Sequence, residues 1–165
     1  MLVLQGFYFF EDQFTTEALE RHFDFYEPFT VHESSLSPCV HSIQAAKLGR
    51  MEQAYQFYLR TSRLDLDDYN HEVHEGLHIT SMAGTWMSIV EGFGGMRVKD
   101  NKLSFTPKIP KQWEAYSFKV NFRNHILKVN IGQKQTHFEI LSGDELEILV
   151  NNKPILLKTK QLKAV

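Results

Sequence analysis

A chain of 165 residues suits one ordinary domain or two small ones, and its 42% apolar side chains, 13 phenylalanines among them, supply bulk for a core. Eighteen basic and 20 acidic residues leave a net charge of −2, which excludes the strongly basic balance of a nucleic-acid or membrane-surface binder. No apolar run approaches the roughly 20 residues of a bilayer span, the apolar start lacks the basic region and cleavage site of a signal peptide, and the single Cys39 has no internal partner for a disulfide. A cytoplasmic protein is expected.

Taken in chain order, apolar residues first recur at helical spacing. Val3, Leu4, Phe7 and Tyr8 begin a short helix. Thr15 caps a second one, with Glu17 in its first turn and Leu19, Phe23 and Tyr26 on one face, and Pro28 stops it. Ser37-Pro38 opens a third, serine at the N-cap and proline at the first helical position. That helix turns Val40, Ile43 and Ala46 inward and ends at Gly49. A fourth follows through Met51, Ala54, Tyr55, Tyr58 and Leu59. The polar stretch Arg63–Gly76 reads as an irregular loop, and a fifth helix then presents Ile79, Met82, Ala83, Trp86, Ile89 and Val90 as its apolar face.

Beyond Gly92–Gly95 the period drops to two. Tyr116, Phe118, Val120 and Phe122 alternate with polar residues, then Leu127, Val129 and Ile131, then Thr136, Phe138 and Ile140, then Leu146, Ile148 and Val150. Breaks at Arg123-Asn124-His125, Ser142-Gly143-Asp144 and Asn151-Asn152-Lys153 predict hairpin turns. Helices followed by antiparallel strands predict an α+β chain of two parts, 1–95 and 96–165. The helices alone make a thin bundle, less than a complete domain.

Two polar stretches carry candidate chemistry. His74-Glu75-Gly76-Leu77-His78 matches the zinc-metallopeptidase string H-E-x-x-H, with His71 nearby. A zinc site of that kind needs both histidines one turn apart in mid-helix. Here glycine separates them, the helical period begins only at Ile79, and the longer H-E-x-x-H-x-x-G-x-x-H continuation is missing. A zinc-dependent hydrolase and a set of solvated loop histidines stay open as readings. The second stretch, Thr30–Pro38, places His32, Ser34 and Ser35 before a helix start, where hydroxyl donors and the helix dipole favour an anion. Simple capping with serine as loop filler accounts for the same residues, and a non-catalytic interaction module fits the chain as a whole.

Three linked motifs carry a resemblance: "FYEPFTVHESSLSPCVHSIQAAKLG", "YLRTSRLDLDDYN" and "EGLHITSMAGTWMSIVEGFGGMR", with "LSFTPKIPKQWEAYSFKVNFRNHILKV" after them. In that order they resemble the C-terminal part of the maltose phosphorylases, members of glycoside hydrolase family 65 with the kojibiose and trehalose phosphorylases. The resemblance implies the last helices of an (α/α)6 barrel followed by a small antiparallel β-sandwich. It implies inverting phosphorolysis, maltose and phosphate giving glucose and β-glucose 1-phosphate, with phosphate in place of the activated water. Ser34 and Ser35 match the family's serine-rich phosphate loop, His78 stands in its Gly-Leu-His segment as a further phosphate contact, and His32 positions the loop. No cofactor and no metal are implied, and the partners are inorganic phosphate and a disaccharide, with no nucleic acid and no membrane.

The same resemblance locates what is absent. The family's general-acid glutamate lies upstream of the matched region, and Glu33, Glu72 and Glu75 do not stand at its motif. A Lys-Gln-Ala-Asp run is expected just before Val3-Leu4, where this chain has Met1-Leu2. A C-terminal fragment without its catalytic acid is therefore expected, self-associating through helix faces that an incomplete barrel exposes.

Overall fold

The computed structural model describes residues 3–31, 35–69, 71–159 and 162–164. They fall into two units, Met1–Gly92 and Phe93–Val165.

In the first unit the helices are α1 (Val3–Phe9), α2 (Thr16–Tyr26), α3 (Ser37–Lys47), α4 (Met51–Ser62), α5 (Leu64–Asp67) and α6 (Ile79–Met87). The Thr15 hydroxyl caps α2 by accepting from the Ala18 amide, and Leu19 and Phe23 are buried on its inner face. Around α3 the unit is built. Every residue from Ser37 to Ala46 is buried, so α3 has no solvent face rather than the single inward stripe expected. It reaches its neighbours with polar side chains as well as apolar ones. The Ser42 hydroxyl donates to the Ala54 carbonyl of α4 at 2.9 Å, and the Gln44 amide donates to the Leu4 carbonyl of α1 at 2.6 Å. Satisfied donors of this kind let polar residues sit in a core. Gly49, at φ +79°, ends the α3 segment as expected and lets α4 fold back.

Two expectations fail here. Leu36, not Ser37, holds the N-cap of α3. Leu36 is itself already turned helically, at φ −93° and ψ −33°, which places Ser37 within the first turn, where a capping geometry is not available. The larger correction concerns α6. Ile79, Met82, Ala83 and Trp86, expected inward, are exposed, whereas Ser81, Gly84 and Ser88 are buried. The physical cause is close approach. A Cβ added to Gly84 would stand 2.7 Å from the Cβ of Cys39 and 3.2 Å from Cγ2 of Thr61, so α6 lies against α3 and α4 through its smallest side chains. The Ser81 hydroxyl completes the contact by donating to the Thr61 carbonyl at 2.7 Å. Thr85 and Ser88 donate back to the carbonyls of Ser81 and Gly84, and the helix loosens into a π-helical turn over Ser88–Phe93.

The second unit is a β-sandwich of eight strands: β1 (Arg97–Lys99), β2 (Lys102–Phe105), β3 (Ala115–Phe122), β4 (His125–Gly132), β5 (Thr136–Ser142), β6 (Glu145–Val150), β7 (Lys153–Lys158) and β8 (Leu162–Ala164). One sheet runs β1-β2-β6-β7 and the other β3-β4-β5-β8. All pairings are antiparallel except β2 with β6, which is parallel because the chain leaves the first sheet after β2, builds β3 to β5 in the second, and returns. Alternation delivers the core: Leu127, Val129 and Ile131 of β4 and Phe138 and Ile140 of β5 are buried, and the rings of Phe105 and Phe138, one from each sheet, lie 5.2 Å apart.

Two of the predicted hairpins form as read. Arg123-Asn124 and Asn151-Asn152 both hold two consecutive positive φ angles, as does Asp100-Asn101 between β1 and β2. That is the two-residue turn whose twist matches the strands. Ser142-Gly143-Asp144 is not a hairpin. It carries the chain from β5 in one sheet to β6 in the other, with Gly143 at φ +101° pressed against the His125 ring, where a Cβ would stand 2.3 Å from Cδ2.

Candidate functional site

His78 is the one predicted site residue with a full set of described contacts. It occupies the N-cap of α6, with φ −80° and ψ 80°. Its ring Nδ1 lies 2.5 Å from Oδ1 of Asp65, and its backbone N–H donates to Oδ2 of the same carboxylate at 3.0 Å. An ionised carboxylate only accepts, so Nδ1 carries the proton. On the other side Nε2 stands 3.5 Å from Oε2 of Glu72. The hydrogen bond to Asp65 holds the His78 pKa above the usual histidine value, with the charges of Asp65 and Glu72 adding to it, and the same bond holds Asp65 below the usual carboxylate range.

The sequence reading missed Asp65. It took Arg63–Gly76 for irregular loop, but Leu64–Asp67 is a helical turn that follows α4 directly. A signal was available: Arg63 and Asp67 are spaced i, i+4, and the guanidinium grips that carboxylate at 2.6 and 2.7 Å. Asp68, at φ 47°, accepts from the Val73 amide at 3.1 Å and folds the following loop back.

The H-E-x-x-H string does not lie on one helix. His74 sits in a 3-10 turn, Val73–Glu75, with its side chain 76% exposed, and Gly76 at φ 115° and ψ −168° breaks the path to His78. The geometry a zinc peptidase requires, two rings on one helical face, is thus not made, and the His78 ring is engaged with Asp65. Among the described residues no three His, Cys, Asp or Glu side chains converge as a metal cage.

Ser35 lies in the turn just before α3, half-buried, while His32 and Ser34 lie outside the described residues. The helix packing relates Ser35 to His78. Gly84 of α6 meets Cys39 of α3, and eight residues later Gly92 meets Ile43, so α6 and α3 advance in the same direction. Thr61, near the end of α4, meets Gly84, so α4 runs the opposite way. The starts of α3 and α6 and the end of α4 therefore share one end of the helical unit. Ser35 and His78 both stand there, at two helix N-termini whose dipoles favour negative charge.

Comparison with known proteins gives this arrangement a family. Residues 2–87 match the glycosyl hydrolase family 65 central catalytic domain, and residues 96–157 match the family's C-terminal domain. The chain belongs to glycosyl hydrolase family 65. It is 53% identical over 156 residues to a maltose phosphorylase of Bacillus subtilis, covering 94% of this chain and 21% of that protein. To an α,α-trehalose phosphorylase of Thermoanaerobacter brockii it is 43% identical, covering 92% of this chain and 20% of the relative. A solved structure described as a putative kojibiose phosphorylase from human microbiome superposes with a TM-score of 0.91 at 40% identity, over 99% of this chain and 24% of that one. The chain thus spans about a fifth of the length of the curated relatives it matches. Among the described residues no helix is long and apolar enough to cross a membrane.

Proposed function

We propose that this chain forms the phosphate side of an inverting disaccharide phosphorylase, with residues 1–95 as the last helices of its (α/α)6 barrel and 96–165 as its C-terminal β-sandwich. The observation that carries this reading is the braced imidazole of His78 at the end where α3 and α6 both begin. Phosphate sits against Ser34, Ser35 and His78. The serine hydroxyls donate to its oxygens, and a protonated His78 donates through Nε2. Pro38 withholds one backbone N–H, which puts more weight on these side chains.

In the reaction a phosphate oxygen attacks the anomeric carbon of the sugar from the face opposite the leaving group. The glycosidic C–O bond breaks as the new C–O–P link forms, and a glutamic acid outside these residues gives its proton to the departing oxygen. Phosphate is already a nucleophile, so the site's work is to hold it in line rather than to activate it. Maltose is the proposed substrate, giving glucose and β-glucose 1-phosphate. Identity of 53% to a maltose phosphorylase, against 43% to a trehalose phosphorylase and 40% to the solved putative kojibiose phosphorylase, supports that choice. The chain alone is expected to give no measurable phosphorolysis, since losing a general acid forfeits about 10²–10⁴-fold.

Titration of the chain with inorganic phosphate, followed by NMR, tests the reading. Shifts should cluster at residues 34–36 and 77–79. Shifts confined to other segments, with these silent, would overturn it.

A further inference from the structure

Two carboxylates flank His78, and their geometries differ. Asp65 takes both the ring Nδ1–H, at 2.5 Å, and the backbone N–H, at 3.0 Å. It sits on a helical turn braced by the Arg63–Asp67 pair and is the better covered of the two, its side chain 16% exposed. Glu72 approaches from the loop instead, 40% exposed and 3.5 Å from Nε2, too long for a well-formed hydrogen bond. One contact is bidentate and anchored; the other is long and loop-borne.

We propose that Asp65 is the positioning residue of this site and Glu72 its placeholder. Asp65 fixes the imidazole so that Nε2 faces the anion, and Glu72 occupies Nε2 until an anion displaces it. The proposal rests on the reading of His78 as a phosphate contact. It follows from donor inventory. With Nδ1–H committed to Asp65, the ring has one nitrogen left to offer, and that nitrogen already faces a carboxylate. An incoming phosphate presents the same chemistry with more oxygens and more charge, so it competes for the same donor. The two acidic residues must then act in opposite directions on anion binding, although simple charge repulsion would have both oppose it. This opposition is what a merely structural role for either would not produce.

Glu72 precedes the 3-10 turn Val73–Glu75, and the following Gly76 adopts a conformation that few other residues accept. Among the described residues the charged groups acting on the ring are Asp65 and Glu72.

The test uses the whole chain and inorganic phosphate at about pH 6, with NMR reading both the His78 ring nitrogens and the phosphate shifts. In the unaltered chain Nδ1 should be protonated throughout the titration. Asp65→Asn should move the His78 titration to lower pH and weaken phosphate about 3–10-fold, the scale of one lost hydrogen bond. Asp65→Glu, which restores the carboxylate on a longer stem, should recover part of both. Glu72→Gln, with retention of the fold read from the unchanged amide spectrum of α3 and α4, should strengthen phosphate about 2–5-fold. Phosphate binding at His78 that Asp65→Asn leaves unchanged, or that Glu72→Gln weakens, would overturn this inference while the phosphate reading stands. No phosphate shift at His78 in the unaltered chain would overturn the phosphate reading itself, whereas the His78 titration in Asp65→Asn reports on positioning independently.

Discussion

Among the described residues twelve of the exposed large apolar side chains lie in the helical unit and four in the β unit. The four fall one to a strand, on β1, β4, β5 and β7, as isolated apolar side chains do on most protein surfaces. The twelve include a run at helical spacing, Ile79, Met82 and Trp86 on α6, continued upstream by Leu77. A sandwich closes by laying one sheet on another, so alternation in the sequence becomes burial in the fold. A helix stripe has no such guarantee: it is buried only if another element arrives to cover it. In the helical unit the face of small residues won the contact with α3 and α4, and the apolar face was left outside. The proposal that these are the last helices of a larger barrel assigns that face its cover, and self-association of the chain by itself through the stripe is the prediction that follows from it.

Phe138→Ala tests the closed half and carries the largest expected effect. The ring is fully buried against Phe105, and its removal should destabilise the β unit by about 3–5 kcal/mol in urea unfolding. A cost below 1 kcal/mol would mean the two sheets do not depend on each other. Gly84→Ala should cost the helical unit about 1–3 kcal/mol, because the new methyl meets Cys39 and Thr61 at overpacked distances. If that variant were neutral, α6 would not be packed through its small residues and the contrast would dissolve.

A smaller gain is expected from Asn152→Gly, which relieves the second of two left-handed residues in the β6–β7 turn. It should raise stability by a fraction of the roughly 1–2 kcal/mol that such a conformation costs an ordinary residue, measured as a shift in thermal midpoint. The smallest effect sharpens the comparison most. Trp86→Arg, at a side chain 49% exposed, should change unfolding free energy by no more than about 0.5 kcal/mol while lowering self-association in sedimentation. A loss of several kcal/mol there would show the stripe to be covered within the chain.

Much of the fold was legible without coordinates. The Thr15 cap, the stop at Gly49, the change of period beyond Gly92 and the paired left-handed turns Arg123-Asn124 and Asn151-Asn152 are local matters. They depend on a hydroxyl, a missing Cβ or an alternation that acts over a few residues, so the local sequence is enough to decide them. For the candidate site, sequence singled out His78 and placed it at the opening of a helix, and it saw that the string from His74 to His78 is interrupted at Gly76. It could not see Asp65, thirteen residues back from His78, because that partnership exists only once Leu64–Asp67 coils and the loop returns. Nor could it tell which face of α6 would be buried, because period records that a helix has two faces and not which neighbour will press on which. The passage from β5 to β6, a turn by composition and a crossing between sheets in fact, belongs to the same class. Local chemistry settles where elements begin and end; their partners are chosen by close packing between segments far apart in the chain, and that is a property of the assembled molecule.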